Sequence, residues 1–339
     1  EGVRMCQPHE FDALLAAPPL RLSSVPAALR GRVLVAVSAL GAAASNAVLV
    51  AVPGYPAALA ARFLTGLFLA GVYPPAMKMA ATWFRSSRGL AIGALIGALT
   101  MGKALPYLLR AGDAVAWESV VLAVSAGAAG GALLVGVAYH DGPFAFPRRS
   151  FSWALAGTVA AHRETRLAVL GYLGHMWELY AMWTWLPAFL AASAIARGAA
   201  AEHASAVASV HAFATIAIGA AGCLWGGWMA DRIGRERLVS LAMAASGGCA
   251  LVIGLFFGAH PLLLLPIAAV WGFFVVADSA QFSALVTEVA PPHAVGTALT
   301  LQTSLGFLLT TATIQLVPAI AGTAGWQWAF PVLAAGPVA

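Results

Sequence analysis

Apolar positions in this chain fall in long, nearly unbroken blocks rather than at alternating or amphipathic spacing. Nine windows of about 20 or more apolar residues stand out, at 33–53, 57–84, 89–109, 115–138, 167–195, 204–230, 238–259, 262–287 and 295–320. Blocks of that length match a helix crossing a hydrocarbon layer of ~30 Å at ~1.5 Å per residue. Backbone amides in lipid have no water to bond, so each segment must satisfy its own polar groups and is predicted to be helical. A tenth block begins near Trp326 and reaches Ala339 before it is long enough to span. The pattern predicts an all-α polytopic membrane protein with nine complete transmembrane helices and part of a tenth.

Composition removes the alternatives. The chain is 61% hydrophobic with mean hydropathy +0.86, against roughly 45–50% apolar residues in soluble domains. Its formal charge is +5, but the position of the basic residues matters more than their sum. Arg21, Arg30, Arg32, Arg85, Arg88, Arg148, Arg149, Arg163, Arg166, Arg232, Arg235 and Arg237 fall in alternate loops, and only Arg110 and Arg197 in the opposite ones. Positive loops stay in the cytoplasm. The basic balance therefore sets topology and points to no nucleic-acid partner. Cys6, Cys223 and Cys249 lack C-x-x-C or zinc spacing, and two lie in apolar blocks, as buried small hydrophobes do. No metal or cofactor is expected.

The stretch Gly227-Trp-Met-Ala-Asp231-Arg232-Ile-Gly234-Arg235-Glu236-Arg237 is a charged, glycine-bracketed turn between two apolar blocks. It resembles the cytoplasmic loop signature of the major facilitator superfamily of secondary transporters. That signature runs Gly-x-apolar-Ala-Asp-Arg-x-Gly-Arg-Arg, and recurs between helices eight and nine of the family. Here Met229 takes the apolar slot and Glu236 replaces the second basic residue. The resemblance covers about 30–339 and implies a fold of two six-helix halves, related as parallel repeats. In that register the first visible span is helix three and the last, incomplete one is helix twelve. Helices one and two are then expected to be missing, the chain being a fragment or a misread frame of a twelve-helix protein. The expected organisation is an unplaced segment 1–29, an N-terminal half 30–140, a cytoplasmic connector 141–165 and a C-terminal half 166–339. Residues 150–161 of the connector form either a short interfacial helix, with Phe151, Trp153 and Leu155 toward lipid headgroups, or a plain linker.

Ionisable groups inside spans cost at least ~2.5–3.5 kcal/mol each on insertion scales, so each is a functional candidate. Arg62 opens Arg62-Phe-Leu-Thr-Gly66, similar to the family's helix-four motif, whose Arg faces the central cavity and is linked to proton coupling. Snorkelling to the membrane surface is the other reading of Arg62. Lys78 follows Pro74-Pro75, a pair that kinks a helix and frees carbonyls, and it too is within reach of the surface. Lys103 ends Gly97-Ala-Leu-Thr-Met-Gly102-Lys103, which mimics a P-loop, but Ala104 replaces the Ser or Thr and no strand precedes it. Helix packing through Gly93 and Gly97 accounts better for that region.

Glu178 is the strongest acidic candidate. It lies about twelve residues beyond Arg166, hence ~18 Å into the bilayer and near the midplane where secondary transporters bind substrate. Helical spacing puts His175, Glu178 and Trp185 on one face, and a carboxylate there can carry a proton or make a structural hydrogen bond. Trp177, Trp183 and Trp185 could line a cavity beside it. Asp278, nearer the inner surface, is expected to face water, and His211 to be a packing histidine.

In the signature loop, Asp231 can charge-complement the start of helix nine or of a neighbouring helix. Gly227 and Gly234 allow close packing, and Arg232, Arg235 and Arg237 stay in water. The family uses this loop as a conformational latch; a merely positive loop would explain the arginines but not the Gly-Asp-Gly spacing.

These residues point to a secondary transporter, not an enzyme, with a small-molecule substrate and protons as partners. Arg62, Lys78 and Lys103 outnumber Glu178 and Asp278 inside spans, which favours a small anion. The Tyr73-Pro74-Pro75 and Trp177-Glu178-Leu179-Tyr180 stretches resemble the nitrate, nitrite and cyanate permease branch. A drug or cation efflux carrier is the nearest alternative, and a channel or membrane-embedded enzyme the rival class. A monomer in the bacterial inner membrane is expected.

Overall fold

The computed structural model describes residues 27–84, 88–111, 115–143 and 152–338. The segment up to residue 26 with Cys6 and Arg21 lies outside the described residues, as do Arg85, Arg148, Arg149, Phe151 and the side chains of Arg30 and Arg88. Among the described residues all regular structure is helical. The helices are α1 (Ala27–Val48), α2 (Gly54–Ala70), α3 (Tyr73–Ala81), α4 (Arg88–Arg110), α5 (Trp117–Ala138), α6 (Ala156–Ala161) and α7 (Arg163–Ala196). They continue with α8 (Ala201–Ile233), α9 (Arg235–Val252), α10 (Pro261–Ala277), α11 (Ser279–Val289), α12 (Val295–Ala324) and α13 (Ala335–Val338).

Nine segments among the described residues are long and apolar enough to cross a membrane, and they coincide with the nine sequence windows. Two of them are interrupted. Between α2 and α3 the chain turns at Gly71 and Val72, and Pro74-Pro75 occupy the first turn of α3, where a missing N–H costs nothing. The second break falls at Asp278, between α10 and α11. No proline or glycine marks it. The tenth apolar block folds as short 3-10 turns, Trp326–Trp328 and Pro331–Ala334, followed by α13.

By packing, the chain forms two units. Unit 1 holds α1, α2, α3 and α5; unit 2 holds α4 and everything from α6 onward. Within unit 1, Gly71 sits against Ser38 and Gly41 against Phe68, joining α1 to α2. Within unit 2, α8 is flanked by α4 and α10, and glycines make both contacts. A Cβ at Gly93 or Gly97 of α4 would press on the carbonyls of Cys223 and Ala220. A Cβ at Gly222 or Gly226 of α8 would run into the carbonyls of Phe273 and Ala277. Lipid offers no hydrophobic drive between helices, so close backbone approach of this kind holds them. The packing role read for Gly93 and Gly97 is thus the one they have, and it draws α4 into the second unit.

The short segment before α7 is helical and packs partly against unit 2. Val159 of α6 is buried with Val286, Ala290, Ala294, Val295 and Ala298, and Leu155 packs on that cluster. Trp153 is exposed. The segment caps the α11–α12 end of unit 2.

Candidate functional site

At 34 residues, α7 is the longest helix among the described residues, and Glu178 lies close to its middle. The carboxylate is 2% exposed. Trp271 Nε1 on α10 donates to Oε1 at 2.6 Å, and Ser246 Oγ on α9 donates to Oε2 at 2.9 Å. These two partners differ in kind. An indole N–H only donates, so Oε1 must always accept. A hydroxyl can do either, and Ser246 Oγ also lies 3.2 Å from Met243 O. When Glu178 is ionised, Ser246 donates to Oε2. When Glu178 is protonated on Oε2, Ser246 can accept that proton's hydrogen bond and donate to Met243 O instead. Both protonation states are therefore fully hydrogen-bonded, which burial otherwise makes costly.

One turn earlier on α7, His175 is 3% exposed and pairs with Asp278, itself 2% exposed, across 2.9 Å from Nδ1 to Oδ1. Its Nε2 is 2.9 Å from Ser279 Oγ, and its ring packs near Tyr172 and Phe282. The Nδ1–Oδ1 contact is close without hydrogen-bond alignment, leaving Oδ1 unmatched as an acceptor. This corrects the reading of Asp278 as a water-facing residue. The break between α10 and α11 turns it inward onto α7. His175 and Glu178 thus share a face, as spacing predicts, with α9, α10 and α11 against it.

Trp185 leaves that face. Its Nε1 donates to Ile314 O on α12 at 2.7 Å, and its ring lies near Trp326. Trp177 donates to Val332 O at 3.0 Å, while Trp183 is buried beside Tyr180 with its Nε1 unpaired. The three tryptophans diverge to separate neighbours rather than form one wall with Glu178. On α4, Tyr107 donates to Trp183 O at 3.0 Å, and half-buried Lys103 lies one turn before Tyr107. His211 on α8 is half-buried in a small hollow lined also by Arg197, Ser193 and Leu264. A cleft of about 340 Å³ lined by Leu251, Leu255, Phe257, Gln327 and Trp328 lies elsewhere, among exposed apolar side chains.

In unit 1, Arg62 Nη1 donates to Asn46 Oδ1 at 3.0 Å, and Asn46 Nδ2 donates to Ser125 Oγ at 2.9 Å. The guanidinium is thus held from α1, by an Asn46 that is itself tied to Ser125 on α5, although Arg62 is largely exposed. Lys78 is exposed on α3.

The signature loop makes contacts on both sides. Gly227 touches the backbone of Gly89 and Leu90 at the start of α4, where a Cβ would collide. Asp231 Oδ1 is 3.4 Å from the place a Gly89 Cβ would take, so its charge lies at the N-terminus of α4, a favourable site for an anion. Gly234 has φ +89, a backbone that L side chains seldom adopt, and lets α9 start at once. Arg232 stacks on Trp228, 3.6 Å from the ring centroid. Arg235 is not left to water: Nε meets Glu288 Oε1 at 2.7 Å and Nη1 meets Gln281 Oε1 at 2.6 Å, both on α11.

Sequence reasoning missed Ser246, Trp271, Ser279, Gln281 and Asn46. Each is a polar or donor group within an apolar span, and that was the available signal. Among the described residues, His, Cys, Asp and Glu form no group of three suited to a metal ion.

The sequence signature of the Major Facilitator Superfamily matches residues 27–311. Among solved structures, a variant of the E. coli fucose:proton symporter FucP matches at 15% identity and TM-score 0.63, over 91% of this chain and 81% of that one. FucP in the outward conformation matches at 14% and 0.60, over 91% and 80%. A bacterial homolog to the human lysosomal transporter Spinster, inward-facing and occupied, matches at 14% and 0.58, over 90% and 79%. Such identities carry the fold alone. No curated protein matches the chain in sequence.

Proposed function

The chain belongs to the Major Facilitator Superfamily of transporters, and on that premise we propose that it moves a small anion coupled to a proton held by Glu178. The observation that carries this reading is the pair of partners on that carboxylate, one donor-only and one reversible. A neighbour that can switch between donating and accepting lets the carboxylate change its protonation state without leaving a buried group unpaired. Glu178 lies near the middle of α7, and carriers of this kind bind their cargo near the bilayer midplane, which supports the reading. The cations Arg62, Lys78 and Lys103, all within spans, favour an anion as that cargo. Tyr73-Pro74-Pro75 and the sequence around Glu178 make nitrate, nitrite and cyanate the first anions to test. Alternating access between the halves 30–140 and 166–339 is the proposed mode, with the signature loop and the 141–165 connector in the cytoplasm.

The test is Glu178→Gln in proteoliposomes with radiolabelled nitrate, nitrite and cyanate. The amide keeps the shape and an acceptor for Trp271 but has no proton to release. Accumulation driven by a pH gradient is expected to vanish while anion exchange without a gradient persists. Gradient-driven accumulation at the wild-type rate would reduce Glu178 to a structural role.

A further inference from the structure

Pro106 in α4, Pro187 in α7, Pro266 in α10 and Pro318 in α12 lie inside helices of unit 2. Each lacks the N–H that would bond the carbonyl four residues earlier, and its ring pushes that carbonyl aside. The carbonyls so released belong to Gly102, Trp183, Leu262 and Ile314. In a membrane such a group needs a donor from elsewhere. Gly102 and Leu262 are exposed, whereas Trp183 is buried and Ile314 half-buried. Both of the latter are met by an aromatic side chain of a neighbouring helix. Tyr107 Oη on α4 donates to Trp183 O at 3.0 Å, and Trp185 Nε1 on α7 donates to Ile314 O at 2.7 Å. Helices α7 and α12 are 34 and 30 residues long, and each contact falls on the carbonyl that the proline releases. Each aromatic donor thus stands in for the N–H that proline removed.

The two contacts differ in how firmly they are held. An indole N–H only donates, and the Trp185 ring lies near Trp326. Tyr107 is on the end of α4 away from the signature loop. Gly93 and Gly97 press that helix onto α8, but a Cβ at Gly102 would meet nothing within 4 Å. Beyond that point Leu105, Leu108 and Leu109 are exposed. Pro106, one residue before Tyr107, weakens the helix in the same turn.

We propose that Tyr107 is a releasable clasp on a hinge in α7, and Trp185 a permanent one on α12. When the Tyr107 hydroxyl lets go of Trp183 O, α7 is free to bend between Trp183 and Pro187, and the last turn of α4 swings about Pro106. Water entering the gap takes over both partners, donating to Trp183 O and accepting from the phenol. The hinge starts five residues beyond Glu178. Bending therefore moves the end of α7 that leads to Ala196, while the part that carries Glu178 stays with α9 and α10. The opening faces away from the signature loop. This role concerns helix position and is independent of any proton on Glu178.

Spin labels at Leu109 and Ile195, both exposed near the ends of α4 and α7, report the gap in the full chain in lipid nanodiscs, with the native cysteines replaced. The wild type is expected to show a main, shorter distance and a minor, longer one. Tyr107→Phe is expected to raise the ratio of longer to shorter by about three- to tenfold, the span of interhelical hydrogen bonds in membranes. Pro187→Ala returns the missing N–H, so Trp183 O is bonded within α7, and adding Tyr107→Phe to it should change nothing further. An unchanged distribution in Tyr107→Phe overturns the clasp. An equal shift on both backgrounds overturns it too, since the hydroxyl would then act elsewhere. Trp185→Phe should lower stability more in the wild type than in Pro318→Ala, without moving the two labels. Label movement as large as that of Tyr107→Phe would overturn its assignment as the permanent clasp. Should Pro187→Ala fail to insert, Pro187→Gly supplies the same N–H and the same comparison.

Discussion

Replacing Gly226 by Ala is a sharp test of what positions the buried cluster. Its Cβ would collide with Ala277 O on α10, a backbone atom that moves only if the helix moves. Gly222 and Gly272 repeat the arrangement along the same helix pair, against Phe273 and Thr215 carbonyls. Gly248 on α9 has open space around its Cβ position and serves as the control. Gly→Ala in a helix interior gains roughly 0.5–1 kcal/mol from backbone entropy alone. At Gly248 that gain stands, so Gly248→Ala should be slightly stabilised. At Gly226 the same gain is opposed by overpacking of typically 1–3 kcal/mol, leaving a net loss of up to about 2.5 kcal/mol. The displacement falls on Ala277, the neighbour of Asp278, so the 2.9 Å contact to His175 should lengthen as well. Unfolding in mixed micelles, followed by tryptophan fluorescence, reads the stability difference. Equal stability of the two variants would refute the claim that glycine contacts fix α10 against α8.

Two further outcomes follow from the loops. Single cysteines at His162 and Arg235, on a background lacking the native cysteines, should be protected from an impermeant reagent added outside intact cells, while those at Gly198 and Gly325 should be labelled; external labelling at 235 would overturn the orientation. Asp231→Asn removes a charge worth ~0.3–1 kcal/mol at an exposed helix N-terminus, so spin-label distances between the starts of α4 and α9 should shift by a population change of up to several-fold; unchanged distances with normal transport would leave the loop a topology signal only.

The spans were legible because bilayer thickness imposes a length on every apolar block, and all nine windows match helices. The Pro74-Pro75 break was legible for an equally local reason. The break at Asp278 was not, since neither Ala277 nor Ser279 disfavours a helix; it is tied to a contact with His175, 103 residues earlier in the chain. Glu178 could be singled out as a charge deep in lipid, but Ser246 and Trp271 lie 68 and 93 residues away, and only packing brings them to it. The angular spacing that grouped His175 with Glu178 failed for Trp185, because a long indole can reach the neighbouring helix on the other side. Arg235 looked like a solvated loop charge, and its place against α11 depends on where Gln281 and Glu288 land.

The most direct measurement of the central claim is proton movement on substrate addition to wild-type proteoliposomes with no imposed gradient, followed with a trapped pH dye. Coupling through Glu178 predicts that nitrate, nitrite or cyanate entry shifts the internal pH in fixed proportion to the anion moved. Anion entry at full rate with no accompanying change in internal pH would contradict it.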